Sequence, residues 1–191
     1  MNNSPTSAPI GAPLATQVDL LFQIAHDEAP EIESVLRAMT EEQGGWSPEK
    51  WEDKTGGTLL VMDAEGRVVR TEMVMQPSPE WREATEGYAL AKARAVIGSE
   101  EGSPSIELID DDAGIWAGGI PFSYTCPYDG SVKIGAIAFS GWPQNADHLS
   151  VSLWGTASNL TIDMAHMMNA CPYNLLKEEL LADFHVADAS A

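Results

Sequence analysis

An apolar run from Val132 to Phe139 leads into Ser140-Gly-Trp-Pro-Gln-Asn-Ala-Asp-His148. The order predicts a strand, a sharp Ser-Gly turn and the start of a helix. Val132, Ile134, Ala136 and Ala138 are expected on one face of the strand, and Ile137 and Phe139 on the other. Both faces are apolar, as in a central strand. Asn145 is expected to cap the helix, and Asp147 falls in its first turn, where the macrodipole favours a carboxylate. A strand end, a glycine turn and a helix N-terminus form a place to hold a small ligand, an anionic one above all. Ser140, Gly141, Trp142, Asp147 and His148 are therefore candidate ligand-binding residues. Lys92 joins them, because its helix face is otherwise small and apolar and the chain has only 10 basic residues. It pairs either with a ligand carboxylate near the turn or with one of the chain's 29 acids. Gly118 and Gly119 permit close backbone approach, to a ligand or to a neighbouring strand. Trp142 is large enough to fill the space a ligand would need.

Cysteine and histidine supply the candidate metal ligands. Both cysteines precede Pro-Tyr, at Cys126 and Cys171. A Cys-Pro thiolate can ligate ferric haem iron while the proline turns the chain away from the porphyrin. The alternative is a small thiol buried in a turn. His148 reads as a ligand or as a helix-cap donor. His166, in Met164-Ala-His-Met-Met168, combines imidazole with thioether sulfur, which suits haem or copper, or else packs in a methionine-rich helix. His26 and His185 read as surface or boundary residues.

Other chemistries find no support in the sequence. A net charge of −19 argues against nucleic acid and against an anionic membrane surface. No segment has the length to span a bilayer. The first seventeen residues lack Lys, Arg and a long apolar run, so no secretory leader is read there. With two cysteines and no disulfide framework, a cytoplasmic setting is expected. Ser140 is not in a G-x-S-x-G elbow, and no phosphate loop or dinucleotide fingerprint is present. Asp110-Asp-Asp112 lacks the spacing of a calcium loop and reads as a solvated turn.

The elements that must position these residues follow from hydrophobic period and punctuation. Residues 1–16 read as a disordered arm. Val18, Leu21, Phe22 and Ala25 form one helical face. Pro30 is expected to start a second helix, carrying Ile32, Val35, Leu36 and Met39. Residues 43–57 are polar and read as a loop or insertion, with Trp46 and Trp51 exposed and a helical turn near Pro48. Thr58–Asp63 and Val68–Met75 form a hairpin across Ala64-Glu-Gly66. Glu83–Ile97 is a helix with Ala84, Tyr88, Ala91 and Ala95 on one side, stopped by Gly98. Ile115–Tyr124 is extended and turns at Cys126–Gly130 into the central strand. Residues 159–191 read as a C-terminal helical extension. The fold class is α+β, a mostly antiparallel sheet of four to five strands flanked by helices, of the profilin or PAS type.

Several segments resemble the GlcG/HbpS-like group, the haem-degrading domain family. Leu60-Val-Met-Asp-Ala-Glu-Gly66 is similar to its V-x-D-x-x-G hairpin. Ala91-Lys-Ala-Arg-Ala95 is similar to its Lys-Ala helix, and Gly118-Gly-Ile-Pro121 to its Gly-Gly-x-Pro segment. Gly135-Ala-Ile-Ala-Phe-Ser-Gly141 is similar to its G-A-I-G-V-S-G strand and turn. Ser140 to His148 is most similar to the S-G-L-P-Q-x-x-D-H of the UPF0303-type branch. The resemblance covers residues 17–158. Ala138 and Trp142 depart from it, standing where Gly or Thr and Leu are usual. It implies a homo-oligomeric module that binds haem or a corrinoid in some members, with no activity carried by the family name.

The leading expectation is a cytoplasmic, homo-oligomeric small-ligand-binding module, taking haem or a related anionic tetrapyrrole at the Ser140–His148 turn. One alternative is an enzyme acting on a tetrapyrrole or another small molecule in the same pocket. The other is an acidic scaffold that presents Trp46, Trp51 and the C-terminal extension to a partner.

Overall fold

The computed structural model describes residues 12–41, 45–52, 54–99 and 102–162. The first helix, α1, spans Leu14–Ala38 and contains Pro30. It is a single element where two helices are expected. Residues 14–16, grouped with the arm by composition, belong to it. The stripe Val18, Leu21, Phe22, Ala25, Ala29, Ile32 and Leu36 is buried without interruption across the proline. Pro30 has no N–H for the carbonyl of His26, but both residues are exposed, so water can satisfy that carbonyl. Core burial on the inner face thus outweighs a defect on the outer one. Replacing Pro30 with Ala restores the donor and is expected to raise stability by about 2 kcal/mol, read by urea unfolding. An unchanged midpoint would show that the helix is bent around the proline at no cost.

A short helix, α2, covers Pro48–Trp51, and Trp51 is 5% exposed. Strand β1 is Gly57–Met62 and β2 is Val68–Val74, joined as the expected hairpin. Helix α3 spans Pro79–Gly98, and the Ser78 hydroxyl caps it by accepting from Trp81 N. Ser105–Glu107 forms one 3-10 turn. Strand β3 is Gly119–Thr125, β4 is Val132–Ser140 and helix α4 is Gln144–Ala157.

The four strands form one antiparallel sheet in the order β2-β1-β4-β3, so the fold is α+β with β4 internal. Helix α3 packs on one face, and α1 and α4 on the other. Side-chain size explains the division. On the α3 face, Ala136 and Ala138 of β4 meet Ala89 and Ala93, and small residues on both sides let the helix lie close. On the other face, Ile137 and Phe139 reach into the larger core beneath α1 and α4. The start of β4 extends past this cover. Val132 is 72% exposed and Ile134 42%, so the expectation that both are buried is wrong. The buried face of α3 is Thr85, Ala89, Lys92, Ala93 and Val96, rotated by one residue from the face expected from Ala84, Tyr88, Ala91 and Ala95. Among the described residues, no helix is long and apolar enough to cross a membrane.

Candidate functional site

The end of β4 crosses the start of β1 backbone to backbone. A Cβ on Gly141 would strike the Gly56 carbonyl, and one on Gly57 would strike the Ser140 carbonyl. This crossing fixes the turn that follows. Pro143 is the N-cap of α4, and Asn145 lies inside the helix, so Asn145 is not the cap. No side chain caps α4, and Asp147 instead braces the turn that precedes it. From the first turn its Oδ1 accepts the backbone N–H of Trp142 at 2.9 Å. A carboxylate reaching back to a preceding N–H is the reciprocal half of a capping box, shifted by one residue.

Oδ2 of the same carboxylate accepts from Lys92 Nζ at 2.8 Å, and Nζ also donates to the Phe139 carbonyl at 2.9 Å. Lys92 is completely buried, and Asp147 is 2% exposed. Burial pushes the Asp147 carboxyl up to about 6, against the Lys92 charge, its hydrogen bond and the amides of Trp142 and Gly141. Burial likewise pushes the Lys92 ammonium down, against the attraction of Asp147. Of the two partners open to Lys92, the structure supplies the internal acid.

Gly118 makes room for the pair. Its φ is +117°, and a Cβ there would lie 2.7 Å from Asp147 Cβ and 2.9 Å from Lys92 Nζ. Gly119 lets the Lys92 turn of α3 rest on β3, its Cβ position being 3.1 Å from Lys92 Cβ. The close approach is therefore to a helix and to the ion pair. Gly118→Ala is expected to cost about 2 kcal/mol through positive-φ strain and overpacking, measured by thermal unfolding. A loss below about 0.5 kcal/mol would mean the loop moves aside freely.

Trp142 is 3% exposed and points into the main core, its ring 4.7 Å from Phe139 and 5.9 Å from Trp154. Its indole Nε1 donates to Glu33 Oε2 at 3.0 Å. Glu33 also accepts from the Gly56 amide at 2.6 Å and from Arg37 Nε at 2.9 Å. With the indole held from behind, space remains in front of the turn. That space is a cavity of about 240 Å³. Five aromatic residues line it: Trp46, Trp81, Tyr88, Trp116 and Trp142. Its polar lining includes the Lys92–Asp147 pair, Ser140, Gln144 and Asp111.

Each aromatic wall has a local cause. Trp81, Tyr88 and Lys92 stand at i, i+7 and i+11 on α3, which is one helix face. Trp81 Nε1 donates to the Gly56 carbonyl at 3.3 Å. Trp46 packs on Trp51 at 4.9 Å and edge-on to Trp81 at 6.2 Å. Trp46 thus closes one side of the cavity, and Trp51 is not an exposed residue. Trp116 lies 4.5 Å from Tyr88, and its Nε1 donates to Asp111 Oδ1 at 2.8 Å. Sequence pattern marks Tyr88 only as a core residue, Trp46 as an exposed one and Asp111 as part of a solvated turn. It does not single out Trp81, Trp116 or Gln144.

The structure gathers Lys92, Ser140, Gly141, Trp142 and Asp147 at the cavity, with Gly118 and Gly119 behind the ion pair. His148 is 1% exposed and does not line the cavity. Cys126 is buried in the turn at the other end of the β3–β4 hairpin. The length of β4 separates it from Ser140 by about 26 Å. His166 and Cys171 lie outside the described residues, as does most of the C-terminal extension. Among the described residues, no cluster of three or more His, Cys, Asp or Glu is arranged to hold a metal ion.

No family model matches the chain, and no curated protein matches it significantly. Solved structures of similar fold include two. The first is the crystal structure of the PduOC:heme complex, with a TM-score of 0.50 and 14% identity, covering 80% of this chain and 99% of that one. The second is the Klebsiella pneumoniae protein ORFY, with a TM-score of 0.44 and 15% identity, covering 83% and 96%. The first is a likeness of fold.

Proposed function

We propose that the protein is a small-ligand-binding module whose ligand sits between the Ser140–Gln144 turn and the Trp81–Lys92 face of α3. The observation that supports this is the convergence of five aromatic side chains and a few fixed polar groups on one concave site. The Gly56–Gly57 and Ser140–Trp142 segments are pinned from behind by Glu33, Asp147 and their glycine crossing, so that side of the site is preorganised.

Haem is the ligand suggested by the sequence resemblance and by the heme complex with a similar fold. The described residues at the cavity do not fit it. The lining has no His, Cys or Met; its one side chain of a type that ligates haem iron is Tyr88, which is packed on Trp116 at 4.5 Å, and the buried Lys92 is already matched by Asp147 rather than open to a propionate. The haem reading therefore rests on the fold likeness. A homo-oligomeric, cytoplasmic setting and the UPF0303-type branch rest on the sequence alone.

The test is a titration of reduced protein with haemin, followed by absorption, and with small organic anions and cations, followed by tryptophan emission. Saturable binding of any of these, lost in Trp116→Ala, supports the module. Haemin binding lost instead in His148→Ala or Cys126→Ala/Cys171→Ala supports the haem reading and names its ligand. No saturable response from any class would overturn the proposal.

A further inference from the structure

We infer that the ligand class of this cavity is a compact organic cation, a quaternary or alkylated ammonium held on aromatic faces. The inference rests on reading the cavity as a ligand site and goes beyond it by fixing the sign of the ligand's charge. The starting point is the charge balance of the lining. Lys92 and Asp147 cancel at 2.8 Å, both buried, so the pair presents no net charge. Asp147 already places a carboxylate in the first turn of α4, the helix end that would otherwise draw an anion. At the rim Asp111 adds a negative charge and the Lys54 ammonium, over the Trp46 and Trp81 rings, a positive one, so the lining itself is close to neutral. The chain as a whole carries −19, so the long-range field favours a cation.

The rings supply the attraction. The face of an indole or phenol carries negative quadrupole potential, and a cation within about 6 Å of its centroid is stabilised by roughly 0.5–2 kcal/mol. The protein displays this chemistry at the site itself. The Lys54 ammonium stands 5.0 Å from the Trp46 ring centroid and 4.9 Å from that of Trp81. Tyr88 and Trp116 line the same cavity, and among the described residues no side-chain cation lies over them. That ring pair, packed together at 4.5 Å, is the wall against which a ligand's cationic head is placed.

The rings favour alkylation. A primary ammonium brings three donors and is the more strongly hydrated head. Asp147 already accepts from Lys92 and Trp142, which leaves Asp111, Ser140 and Gln144 as the acceptors at the cavity. A methylated head has no N–H to satisfy and takes its stabilisation from the ring faces. The size agrees, since about 240 Å³ is below the range of roughly 300–1,000 Å³ typical of sites for drug-sized ligands.

The test compares choline with its uncharged isostere 3,3-dimethylbutan-1-ol on the intact protein, at constant ionic strength, by calorimetry and tryptophan emission. Tetramethylammonium serves as a second cationic probe. Choline is expected to bind saturably and about tenfold more tightly than the isostere, and to lose about tenfold in Trp116→Ala or Tyr88→Ala. The isostere comparison uses the unaltered chain, so a poorly folding variant leaves the test intact. Equal binding of choline and the isostere would overturn the cation assignment. Binding of haemin or a small anion, with neither choline nor tetramethylammonium binding, would overturn it while leaving the ligand-binding module standing. No binding of any probe would overturn both.

Discussion

Lys92→Met is expected to lower the unfolding free energy by about 3–5 kcal/mol at pH 7.5, because it strands the Asp147 carboxylate in a site that is 2% exposed. Removing one member of a buried pair leaves the other charge without compensation, and that cost exceeds the worth of the pair itself. The double variant Lys92→Met/Asp147→Asn removes both charges and keeps the approximate shapes. It is expected to recover most of the loss, since a buried pair contributes little net stability over neutral groups of similar volume. Urea unfolding of the parent, both single variants and the double variant measures the coupling directly. Additive losses in the double variant would show that the two side chains act independently, against the 2.8 Å contact.

Acid sharpens the same test. The Asp147 carboxyl is raised by burial to about 6 from an ordinary 3.8. Below pH 6 the folded chain therefore takes up a proton there that the unfolded chain does not bind until about pH 4. This contribution is fully present below the unfolded value and is lost as pH rises through about 6. Lys92→Met removes the charge that holds the carboxyl down, so its value rises further. The deficit of Lys92→Met against the parent is thus expected to be smaller at pH 5 than at pH 7.5. A deficit independent of pH would assign the loss to packing around the missing ammonium. Asp147→Asn abolishes this group's pH dependence while keeping an oxygen acceptor for the Trp142 amide.

The hairpins, the central position of β4 and the turn at Ser140 were legible because they are written in local pattern: alternation, Gly-marked turns and an apolar run on both strand faces. Two local readings failed where tertiary packing overrode local pattern. Pro30 does not break α1, since the stripe from Val18 to Leu36 is buried along its whole length. The face of α3 is rotated toward Lys92 because a buried acid waits opposite it, 55 positions further along the chain. Spacing alone treated Lys92 as an outlier on its helix. The cavity was legible only in part. Its floor is local to the Ser140 turn, while its walls come from Trp46, Trp81, Tyr88 and Trp116 on three separate segments. Nothing in the period of any one segment brings them together. The available signals were the six tryptophans of the chain and the i, i+7, i+11 spacing of Trp81, Tyr88 and Lys92.

Glu33→Ala is the second substitution expected to cost about 3–5 kcal/mol, and it acts on the site from outside it. Glu33 stands four residues after Ala29, within the buried stripe of α1, and is 3% exposed. An acid at a core position of an amphipathic helix needs partners, and this one has three: Arg37, the Gly56 amide and the Trp142 indole. Truncation leaves two buried N–H donors without an acceptor and Arg37 without its pair. Glu33→Gln keeps one carbonyl oxygen but replaces the other with a donor, so it should cost less, about 1–3 kcal/mol. Arg37→Ala should cost less again, because that side chain is 37% exposed. The consequence for binding follows from what Glu33 holds. The Gly56 carbonyl accepts the Trp81 indole, and Trp142 forms the back of the cavity, so both walls depend on one carboxylate. Glu33→Gln, folded at low temperature, should therefore weaken ligand binding at the cavity although Glu33 does not line it. Unchanged affinity in a destabilised Glu33→Gln protein would separate the two roles and show that Trp142 and Trp81 keep their places without it.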